Sequence, residues 1–504
     1  MTGGNRESGI GNRGELRGKR VLLMGLGNRQ GGLGVARYLV EAGAEVRVTD
    51  LRDEVALAGT LADLAGLPIT YTLGRHEEED FRWADVVVRN PAVPRESKWL
   101  VLARDLGKTI EMEMTLFFRA CPAPILGVTG TKGKTTTTTL LWYMLRERWP
   151  DAVLAGNMAV SALGQLSSIR PDTPVALELS SFQLEALDEH RLSPHVAVIT
   201  NISPDHLDRY ASFDDYALVK GAIARHQSAD DRLVVPGGDP VVDRVVDGTN
   251  SQLVKFFKQS GTGDIAMSPS LPAEAFGRGK KGDIAMSPVP DCLLGIGAGR
   301  FTGIWNGEPV DLGPVDALRL PGEHSRLNAL AAAGAALSIG VTPDEIARAI
   351  ANFPGVPHRM EHVATINGVD YINDTAATAP AAAVAALSAY AGREIVAIAG
   401  GFDKQLPIEP LVDALATQAH HVVLLDGSLT PNLHAQLKAM NATSIDGPFG
   451  SMEEAVKRAS AVASPGAVVL LSPGTASFGM FRDEFHRGEM FRAAVAALQQ
   501  EVSG

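Results

Sequence analysis

The sequence is poor in cysteine, in long apolar segments and in positive charge. Cys121 and Cys292 are the only cysteines among 504 residues, too few for a disulfide framework or a four-ligand zinc site. No apolar run approaches the roughly 18 residues of a membrane span. Residues 1–20 are rich in glycine and arginine and lack the apolar core of a signal peptide. We therefore expect a cytoplasmic protein with reduced cysteines and no membrane insertion.

The charge balance is acidic, with 46 Lys and Arg against 58 Asp and Glu and a net charge of -12. This disfavours nucleic acid as the main partner, because phosphate backbones are bound by basic surfaces. A small anionic ligand is still compatible with it, since a local site can be basic on an acidic protein. The length is enough for about three domains of roughly 150 residues each.

Short apolar segments alternate with longer segments rich in alanine and leucine. The segments 20–25, 124–129 and 395–400 are apolar on both faces, as strands of a parallel sheet covered by helices are. Segments such as 33–42 and 326–337 have the composition of helices and lie between such strands. The alternation predicts an α/β protein with doubly wound sheets.

Two features divide the chain into blocks. Glycine-rich turns at Gly25 and Gly127 mark a first block, 1–115, and a second, 116–355. A third block, 356–504, begins within a cluster of proline and glycine breakers. Residues 1–18 are predicted to be a flexible tail.

A heptapeptide, Gly-Asp-Ile-Ala-Met-Ser-Pro, occurs at 263–269 and again at 282–288, with a spacer rich in glycine and lysine between the copies. Two copies are too few for a solenoid. We expect residues 257–291 to be a low-complexity surface insertion without catalytic residues.

The most specific local motif is the segment 127–136, Gly-Val-Thr-Gly-Thr-Lys-Gly-Lys-Thr-Thr, between a predicted strand and a predicted helix. Glycines let backbone amides approach phosphate oxygens, and the helix N-terminus adds partial positive charge. The motif is a variant P-loop, because the strict pattern has glycine where Val128 stands. Lys134 is predicted to reach the terminal phosphates of a nucleotide, and Thr135 or Thr136 to bind Mg²⁺.

A second glycine-rich turn runs from Gly25 to Gly32, follows a predicted strand and opens a predicted helix, and Asp50 ends the next strand. This resembles a dinucleotide fingerprint, but the third glycine comes one residue late. Three interpretations stay open: a dinucleotide site, a site for another nucleotide, and a structural turn.

Acidic and polar residues follow two further predicted strands. Glu178 ends one of them, and Asp205 and His206 follow another. In a doubly wound sheet such residues gather at the carboxyl edge beside the P-loop, so Glu178 and His206 are candidate Mg²⁺ ligands. A histidine in this position is more often structural. From its helical context alone, Lys220 is expected to be a surface lysine.

Several motifs in chain order resemble the Mur ligase family, and within it the glutamate-adding ligase. They are Thr-Gly-Thr-Lys-Gly-Lys-Thr at 129–135, Glu-Leu-Ser-Ser-Phe-Gln-Leu-Glu at 178–185, Asn-Ile-Ser-Pro-Asp-His-Leu-Asp-Arg-Tyr at 201–210, Gly-Glu-His-Ser-Arg-Leu-Asn at 322–328, Pro-His-Arg-Met-Glu at 357–361, Asn-Asp at 373–374 and Leu-Ser-Pro-Gly-Thr-Ala-Ser-Phe at 471–478. The resemblance covers nearly the whole chain apart from the tail and the insertion. It implies a Rossmann-like N-terminal domain for a UDP-sugar, a central P-loop ATPase-type domain with a parallel sheet, and a C-terminal Rossmann-like α/β domain for an amino acid.

The resemblance also implies roles for individual residues. The catalytic residues would be Lys134, Glu178, His206 and Lys220. The metal ligands would be Thr135, Glu178, His206 and, if it is carbamylated, Lys220. The residues that bind ATP would be Gly130, Thr131, Lys132, Gly133, Lys134, Thr135, Thr136, Asn328, Arg359 and Asp374. The residues that bind the UDP-sugar would be Gly25, Leu26, Gly27, Asp50, Arg52, Asn90, Pro91, Ala92, Asn157 and Ser180. Those that bind glutamate would be Thr378, Lys404, Ser477 and Phe478.

The implied reaction joins D-glutamate to UDP-N-acetylmuramoyl-L-alanine through an acyl phosphate, with ATP as co-substrate and two Mg²⁺ ions, and releases ADP and phosphate. This is a step of peptidoglycan precursor synthesis, and so of cell-wall biogenesis, cell shape and cell division. We also expect the protein to be a monomer.

Two positions depart from the family pattern, and two other classes of protein remain as alternatives. Ala376 stands where the family usually has lysine, which leaves open L-glutamate or another amino acid as acceptor, and Ser325 stands where the family usually has asparagine. A nicotinamide oxidoreductase would use the turn at Gly25 but leaves the P-loop unexplained. A regulatory nucleotide-binding protein would use the P-loop without needing a UDP-sugar.

Overall fold

The computed structural model describes residues 13–27, 30–157, 161–205, 209–258, 292–320, 322–404, 406–440 and 444–503. In these ranges the chain forms three sheets with helices between the strands, so the predicted α/β class is confirmed. The chain separates into two compact units, one of residues 1–318 and 323–353 and one of residues 319–322 and 354–504. The division into three domains at 115 and 355 stays a prediction.

The first sheet has five parallel strands. They are β1 Arg20–Met24, β2 Glu45–Asp50, β3 Ile69–Leu73, β4 Val86–Arg89 and β5 Thr109–Met112. The accompanying helices are α1 Arg13–Leu16, α2 Gln30–Glu41, α3 Ala58–Asp63, α4 Glu78–Trp83, α5 Lys98–Asp105 and α6 Glu113–Ala120. The strand order is β3-β2-β1-β4-β5. The order changes direction between β1 and β4, where doubly wound sheets form a ligand crevice.

The second sheet belongs to the same compact unit and has nine strands. They are β6 Ile125–Thr129, β7 Val153–Gly156, β8 Val175–Glu178, β9 Val196–Ile199, β10 Arg232–Pro236, β11 Gln252–Phe256, β12 Cys292–Gly297, β13 Arg300–Trp305 and β14 Glu308–Pro314. Their order is β14-β13-β12-β11-β10-β9-β6-β8-β7. Strand β13 runs antiparallel to both of its neighbours, β12 and β14, whereas the other neighbouring pairs, β11 and β12 included, are parallel.

The helices of this second part are α7 Lys134–Arg146, α8 Ala162–Gln165, α9 Ser181–Glu189, α10 Phe213–Arg225, α11 Pro240–Val245, α12 Glu323–Ser338 and α13 Pro343–Asn352. Helix α12 is alanine-rich and buried along most of its length. A Cβ atom at Gly334 would lie 3.0 Å from Val234 and 3.2 Å from Val254, so α12 packs closely on β10 and β11.

The third sheet lies in the second compact unit and has six strands. They are β15 Glu361–Ile366, β16 Val369–Asn373, β17 Ile395–Ala399, β18 His421–Leu425, β19 Ser444–Phe449 and β20 Val468–Leu471. The helices are α14 Pro380–Ala389, α15 Glu409–Gln418, α16 Thr430–Met440, α17 Met452–Val462 and α18 Glu484–Ser503. The order is β15-β16-β20-β17-β18-β19, and only β15 runs antiparallel to its neighbour among these strands.

The two segments that the sequence sets apart have different outcomes. The insertion predicted at 257–291 falls, from residue 259 onward, outside the described residues. Residues 1–12 of the predicted tail also fall outside them. Leu16 of α1, by contrast, is fully buried in the core that includes β1 and β2, so α1 packs against the first sheet. No helix in the described ranges is long and apolar enough to cross a membrane.

Candidate active site

The turn between β6 and α7 holds two glycines in conformations that other residues rarely adopt. Gly130 has φ 147° and Gly133 has φ 85°. A Cβ atom at Gly130 would lie 2.0 Å from Thr200 Oγ1, and one at Gly133 would lie 2.4 Å from Asn328 Oδ1. The turn therefore requires glycine at both positions, and it brings Asn328 of α12 against the P-loop.

The segment after β9 holds this turn from the other side. The backbone N–H of Thr131 donates to the carbonyl of Asn201 at 2.9 Å, and that of Lys132 donates to Asn201 Oδ1 at 3.0 Å. Asn201 Nδ2 in return donates to the carbonyl of Lys132 at 2.8 Å. These bonds fix the backbone of the turn from which a phosphate would receive hydrogen bonds.

Lys134 is the first residue of α7, and its ammonium group lies within the turn. Its Nζ donates to the carbonyl oxygens of Gly130 and Thr131, each at 2.9 Å. A lysine held at the mouth of a glycine-rich turn can interact with a phosphate as a point charge.

Glu178, at the end of β8, is paired in register with Val128 of β6 and is 2% exposed. Asn157 contacts it twice: its Nδ2 donates to Glu178 Oε1 at 3.1 Å, and its backbone N–H donates to the Glu178 carbonyl at 2.9 Å. Glu178 Oε2 is buried and accepts no hydrogen bond from the described part of the chain. An unpaired buried carboxylate oxygen is costly, which marks this atom as a candidate ligand for a cation.

Lys220 corrects the expectation that its helical context gave. It lies on α10 but is only 2% exposed, so it is not a surface lysine. Its Nζ donates to Thr129 Oγ1, at the end of β6, at 3.1 Å. Burial, and then the charge of Lys134, lower the pKa of Lys220 to about 7, although Asp205 and Glu178 oppose the shift. The predicted residues Lys134, Glu178 and Lys220 thus come together at the carboxyl edge of the second sheet.

His206 and Asp208 lie outside the described residues, so the structure does not place them. Within the ranges it does describe, no group of three or more His, Cys, Asp or Glu side chains could hold a metal ion.

The turn after β1 is held by Asp50 at the end of β2. Asp50 Oδ2 accepts from the backbone N–H of Leu26 at 2.9 Å and of Gly27 at 3.2 Å, and it forms an ion pair with Arg52 at 2.9 Å. Burial alone would raise the pKa of Asp50, but the hydrogen bonds from Arg52 and the backbone outweigh it and lower the pKa. A Cβ atom at Gly25 would lie 3.0 Å from Asn90 Cβ, so the predicted UDP-sugar residues from β1, β2 and β4 share one edge.

The remaining predicted UDP-sugar residues of this unit have local contacts. Ala92 donates its backbone N–H to Asn90 Oδ1 at 3.0 Å. Ser180 is the N-cap of α9 and forms a capping box with Gln183. Its hydroxyl therefore also has a structural role.

In the second compact unit, Asp374 follows β16 and is 5% exposed. Ser472 Oγ donates to its Oδ2 at 2.9 Å, and the backbone N–H of Met360 donates to its Oδ1 at 3.1 Å. Burial raises the pKa of Asp374 to about 6. The hydrogen bonds from Ser472 and from the backbone of Met360, and the charge of Arg359, oppose this shift. Asp374 and Arg359, both predicted to bind ATP, are therefore neighbours.

The predicted glutamate-binding residues lie on three loops at the same edge of the third sheet. Thr378 follows β16, Lys404 follows β17, and Ser477 and Phe478 follow β20, and these strands are neighbours in the order β16-β20-β17. The backbone N–H of Phe402 donates to the carbonyl of Ala476 at 3.0 Å, which joins the second and third loops.

Arg487 of α18 is a residue that the sequence did not single out. It is fully buried, and its Nε donates to Thr375 Oγ1 at 2.9 Å and its Nη2 to the Thr375 carbonyl at 3.0 Å. Its Nη1 donates to the Thr475 carbonyl at 3.3 Å. Burial lowers the pKa of Arg487 to about 10. One cation thus joins the loops after β16 and β20, and no local pattern around Arg487 in the sequence indicates this.

Family models match three successive parts of the chain. A Mur ligase MurD-like N-terminal domain matches residues 19–111, a Mur ligase middle domain matches 128–336, and a Mur ligase glutamate ligase domain matches 358–475. These matches do not support the oxidoreductase and regulatory alternatives.

Known relatives match over nearly the full length. A protein of Roseiflexus sp. named UDP-N-acetylmuramoylalanine–D-glutamate ligase is 49% identical over 96% of this chain and 100% of its own. One of the same name from Geobacter metallireducens is 36% identical over 96% of this chain and 98% of its own.

Solved structures share the fold at low identity. The UDP-N-acetylmuramate-alanine ligase MurC of Thermotoga maritima has a TM-score of 0.54 at 21% identity and covers 96% of this chain and 100% of its own. MurF of Acinetobacter baumannii has a TM-score of 0.54 at 16% identity and covers 95% of this chain and 93% of its own. With the family models and full-length relatives, these findings establish that the chain belongs to the Mur ligase family, the ATP-dependent ligases that form amide bonds.

Proposed function

We propose that the protein adds D-glutamate to UDP-N-acetylmuramoyl-L-alanine, with ATP as co-substrate, in the synthesis of peptidoglycan precursors. The observation that carries this proposal is the 49% identity, over 96% of the chain, to a relative with that named activity. The proposal includes the three domains 1–115, 116–355 and 356–504, which bind the UDP-sugar, ATP and glutamate respectively. It also includes a cytoplasmic monomer with a role in cell-wall biogenesis, cell shape and division.

The P-loop residues and Asn328 bind the phosphates of ATP in this proposal, and Arg359 and Asp374 are further ligands of the nucleotide. Support for the first group comes from Gly133, where a Cβ atom would lie 2.4 Å from Asn328 Oδ1. Support for the second comes from the electrostatic interaction of Arg359 with the buried Asp374. Backbone amides of a glycine-rich turn and a nearby lysine are the usual phosphate ligands of such a site.

The residues around β6 and β8 fit Mg²⁺. Oxygen ligands suit this ion, and Glu178 offers a buried carboxylate oxygen without a hydrogen-bond partner in the described ranges. Glu178 and Thr135 would hold one ion, and His206 and Lys220 would contribute to a second. When bound, Mg²⁺ would neutralise charge on the phosphates during transfer.

Lys220 is carbamylated in this proposal. Its neutral amine nitrogen bonds to the carbon of CO₂ and loses a proton, which leaves a carbamate anion in place of a cation. Support comes from its burial and its position at the end of β6, beside the Thr129 hydroxyl. A buried cation near Lys134 is unfavourable, whereas an anion there is attracted to the ammonium group and to metal.

The reaction has two chemical steps. A carboxylate oxygen of the UDP-linked alanine attacks the γ-phosphorus of ATP, the bond to the bridging oxygen of ADP breaks, and an acyl phosphate forms. The amine of glutamate then attacks the acyl carbon, a proton leaves the nitrogen, and the phosphate departs with one oxygen of the original carboxylate. Positioning and electrostatic stabilisation supply most of the catalysis.

Oxygen labelling tests this sequence of steps. UDP-N-acetylmuramoyl-L-alanine with ¹⁸O in its carboxylate is incubated with the protein, ATP, Mg²⁺ and D-glutamate. The proposal expects a product heavier by one glutamyl residue and one ¹⁸O in each released phosphate. Release of unlabelled phosphate together with the glutamylated product would exclude the acyl phosphate.

The competing proposal is a different amino-acid acceptor, and the alanine at position 376 favours it. In the loop after β16, its backbone N–H donates to the carbonyl of His358 at 3.0 Å, and the position lacks the cationic side chain usual in the family. L-Glutamate or another amino acid would then replace D-glutamate with the same fold and mechanism. A direct comparison of acceptors distinguishes the two proposals.

A further inference from the structure

Glu113 is a buried carboxyl group where three helices meet. It is the first residue of α6, directly after β5, and it is 9% exposed. Its Oε1 accepts a hydrogen bond from Ser161 Oγ at 2.5 Å and a longer one from the backbone N–H of Leu163 at 3.5 Å. Ser161 is the N-cap of α8, so Glu113 holds the start of that helix.

Helix α2 lies against the same pair of side chains. A Cβ atom at Gly34 would lie only 2.0 Å from Ser161 Oγ, and one at Gly31 would lie 3.3 Å from Glu113 Oε2. Only glycine at position 34 allows so close an approach without displacement of Ser161. The first turns of α2 therefore rest directly on Glu113 and Ser161.

The elements that Glu113 joins carry two parts of the proposed UDP-sugar site. Helix α2 begins just after the turn that contains Gly25, Leu26 and Gly27. Helix α8, which Ser161 caps, is bonded to β7, because Gln165 Nε2 donates to the carbonyl of Leu154 at 3.0 Å. Asn157, which is bonded to Glu178, directly follows β7. Glu113 thus lies between the glycine-rich turn that follows β1 and the end of β7, where Asn157 lies.

The chemistry of the contact indicates more than apolar packing. Burial raises the pKa of Glu113 to about 7, while hydrogen bonds from Ser161 and from the backbone of Leu163 and Ala162 lower it in part. A carboxyl group that is costly to bury but accepts several hydrogen bonds fixes relative positions more closely than aliphatic side chains of the same size.

We propose that Glu113 is a positioning residue for the UDP-sugar substrate. It fixes the start of α8, which is bonded to β7 just before Asn157, against α2, which packs on the turn at Leu26. The inference rests on the proposed function for the identity of that substrate. It assigns to Glu113 no contact with the substrate or with the reacting atoms.

Steady-state kinetics on three single variants and one double variant of the full chain test the proposal. Glu113→Ala and Ser161→Ala each remove one partner of the bond, and both are expected to raise KM for UDP-N-acetylmuramoyl-L-alanine by about tenfold or more, with kcat and KM for ATP changed less than about threefold. Glu113→Gln keeps an acceptor for Ser161 and should restore most of the affinity. The double variant should be no worse than either single variant, because the two residues act as one unit.

Asp80→Asn is the matched control. Asp80 is a buried carboxylate on α4, paired with Arg47 of β2 at 3.1 Å, and among the described residues it forms no hydrogen bond or ion pair with α2 or α8. This variant should leave KM for the UDP-sugar unchanged. An unchanged KM in both Glu113→Ala and Ser161→Ala would overturn the proposal. Equal changes in kcat and in both KM values would also overturn it, because these indicate a general structural role.

Calorimetric titration separates this inference from the proposed function. The probe is UDP-N-acetylmuramoyl-L-alanine added to the wild-type protein and to the same variants, without ATP or amino acid. Weaker binding in Glu113→Ala but not in Asp80→Asn supports the positioning role even if D-glutamate is not the acceptor. Should Glu113→Ala fail to fold, Ser161→Ala, which leaves the carboxyl group in place, gives the deciding value: tenfold weaker binding supports the proposal, and unchanged binding overturns it.

Discussion

Lys220 is the residue whose environment differs most from what its local sequence suggests. A lysine on a helix is usually solvated, yet this one is 2% exposed and lies beside the carboxyl ends of β6 and β8. A helical pattern in the sequence identifies the helix but not which neighbour covers each position. The resemblance to the Mur ligases, through the order of several motifs, was the signal that set Lys220 apart.

Replacement of Lys220 tests the carbamate. We expect Lys220→Ala to lose nearly all activity, and short carboxylic acids such as formate to restore part of it by supplying the missing anion. Phosphate release with and without added formate is the measurement. Lys255→Ala is the control, since Lys255 forms a partly exposed ion pair with Asp243. This variant should keep the wild-type activity, and formate should not alter it. Full activity of Lys220→Ala would remove the carbamate from the mechanism.

Asp374 gives a prediction about pH. Its pKa is about 6 in the folded protein against 3.8 when exposed, so the folded state binds this proton more tightly than the unfolded chain does. The group therefore stabilises the protein fully below pH 3.8, and this contribution is lost as pH rises to about 6. Asp374→Asn should remove the dependence and raise the free energy of unfolding at pH 8 by up to about 3 kcal/mol.

Denaturant unfolding of the wild type and of Asp374→Asn between pH 5 and 8 measures this difference in stability. In addition, KM for ATP should rise in the variant, because a proposed ligand of the nucleotide is lost. Asparagine fits the contacts, since it can accept from the Met360 N–H and donate to Ser472 Oγ. A variant that is less stable than wild type at pH 8 would show that the buried charge is not a cost to the fold.

The helices and strands that were predictable are those specified by a continuous pattern of residues in the sequence. The P-loop consists of a strand, a set of glycines and a helix in succession, and the structure has all three as β6, a turn and α7. The antiparallel strands β12–β14 were not predicted, because they follow the region 257–291, and their glycines weaken the strand pattern.

Contacts between distant elements could not be predicted from local patterns. Arg487 bonds to Thr375 across 112 residues of chain, and Ser161 bonds to Glu113 across 48. The local sequence around each residue describes only a helix or its start. Such contacts depend on how the loops meet after the sheets have formed, and a single sequence carries no signal for that.

Arg487 allows a test at the scale of elements, since it alone among the described residues donates to both the Thr375 and Thr475 carbonyls through its side chain. Arg487→Met should leave these buried carbonyls without that donor and lower the free energy of unfolding by about 3 kcal/mol. KM for glutamate should rise as well, because the loops after β16 and β20 carry its proposed ligands. Denaturant unfolding and acceptor kinetics measure the two effects.

Arg492→Met, on the same helix, is the control for this variant. Arg492 forms ion pairs with Glu361 and Glu489 and its side chain is 32% exposed, so its loss should cost less than about 1 kcal/mol. Equal destabilisation by the two substitutions would mean that Arg487 does not join the loops in the manner described.

At the scale of the whole molecule, the α/β class was predictable from the sequence. The family that the ordered motifs indicate agrees with the matching family models and relatives. Ala376 departs from the family pattern in the loop proposed to bind the amino-acid acceptor. Full-length identity to relatives named as D-glutamate ligases favours D-glutamate.

The most direct test of this account is the initial rate of phosphate release from ATP by the purified protein with Mg²⁺ and UDP-N-acetylmuramoyl-L-alanine, measured in parallel with D-glutamate, with L-glutamate and without an amino acid. The account predicts release that depends on D-glutamate, with a product heavier by one glutamyl residue and little release in the other two reactions. Release that depends on L-glutamate instead would contradict the proposed acceptor while it leaves the ligase mechanism in place. No release with either amino acid would contradict the proposed function itself.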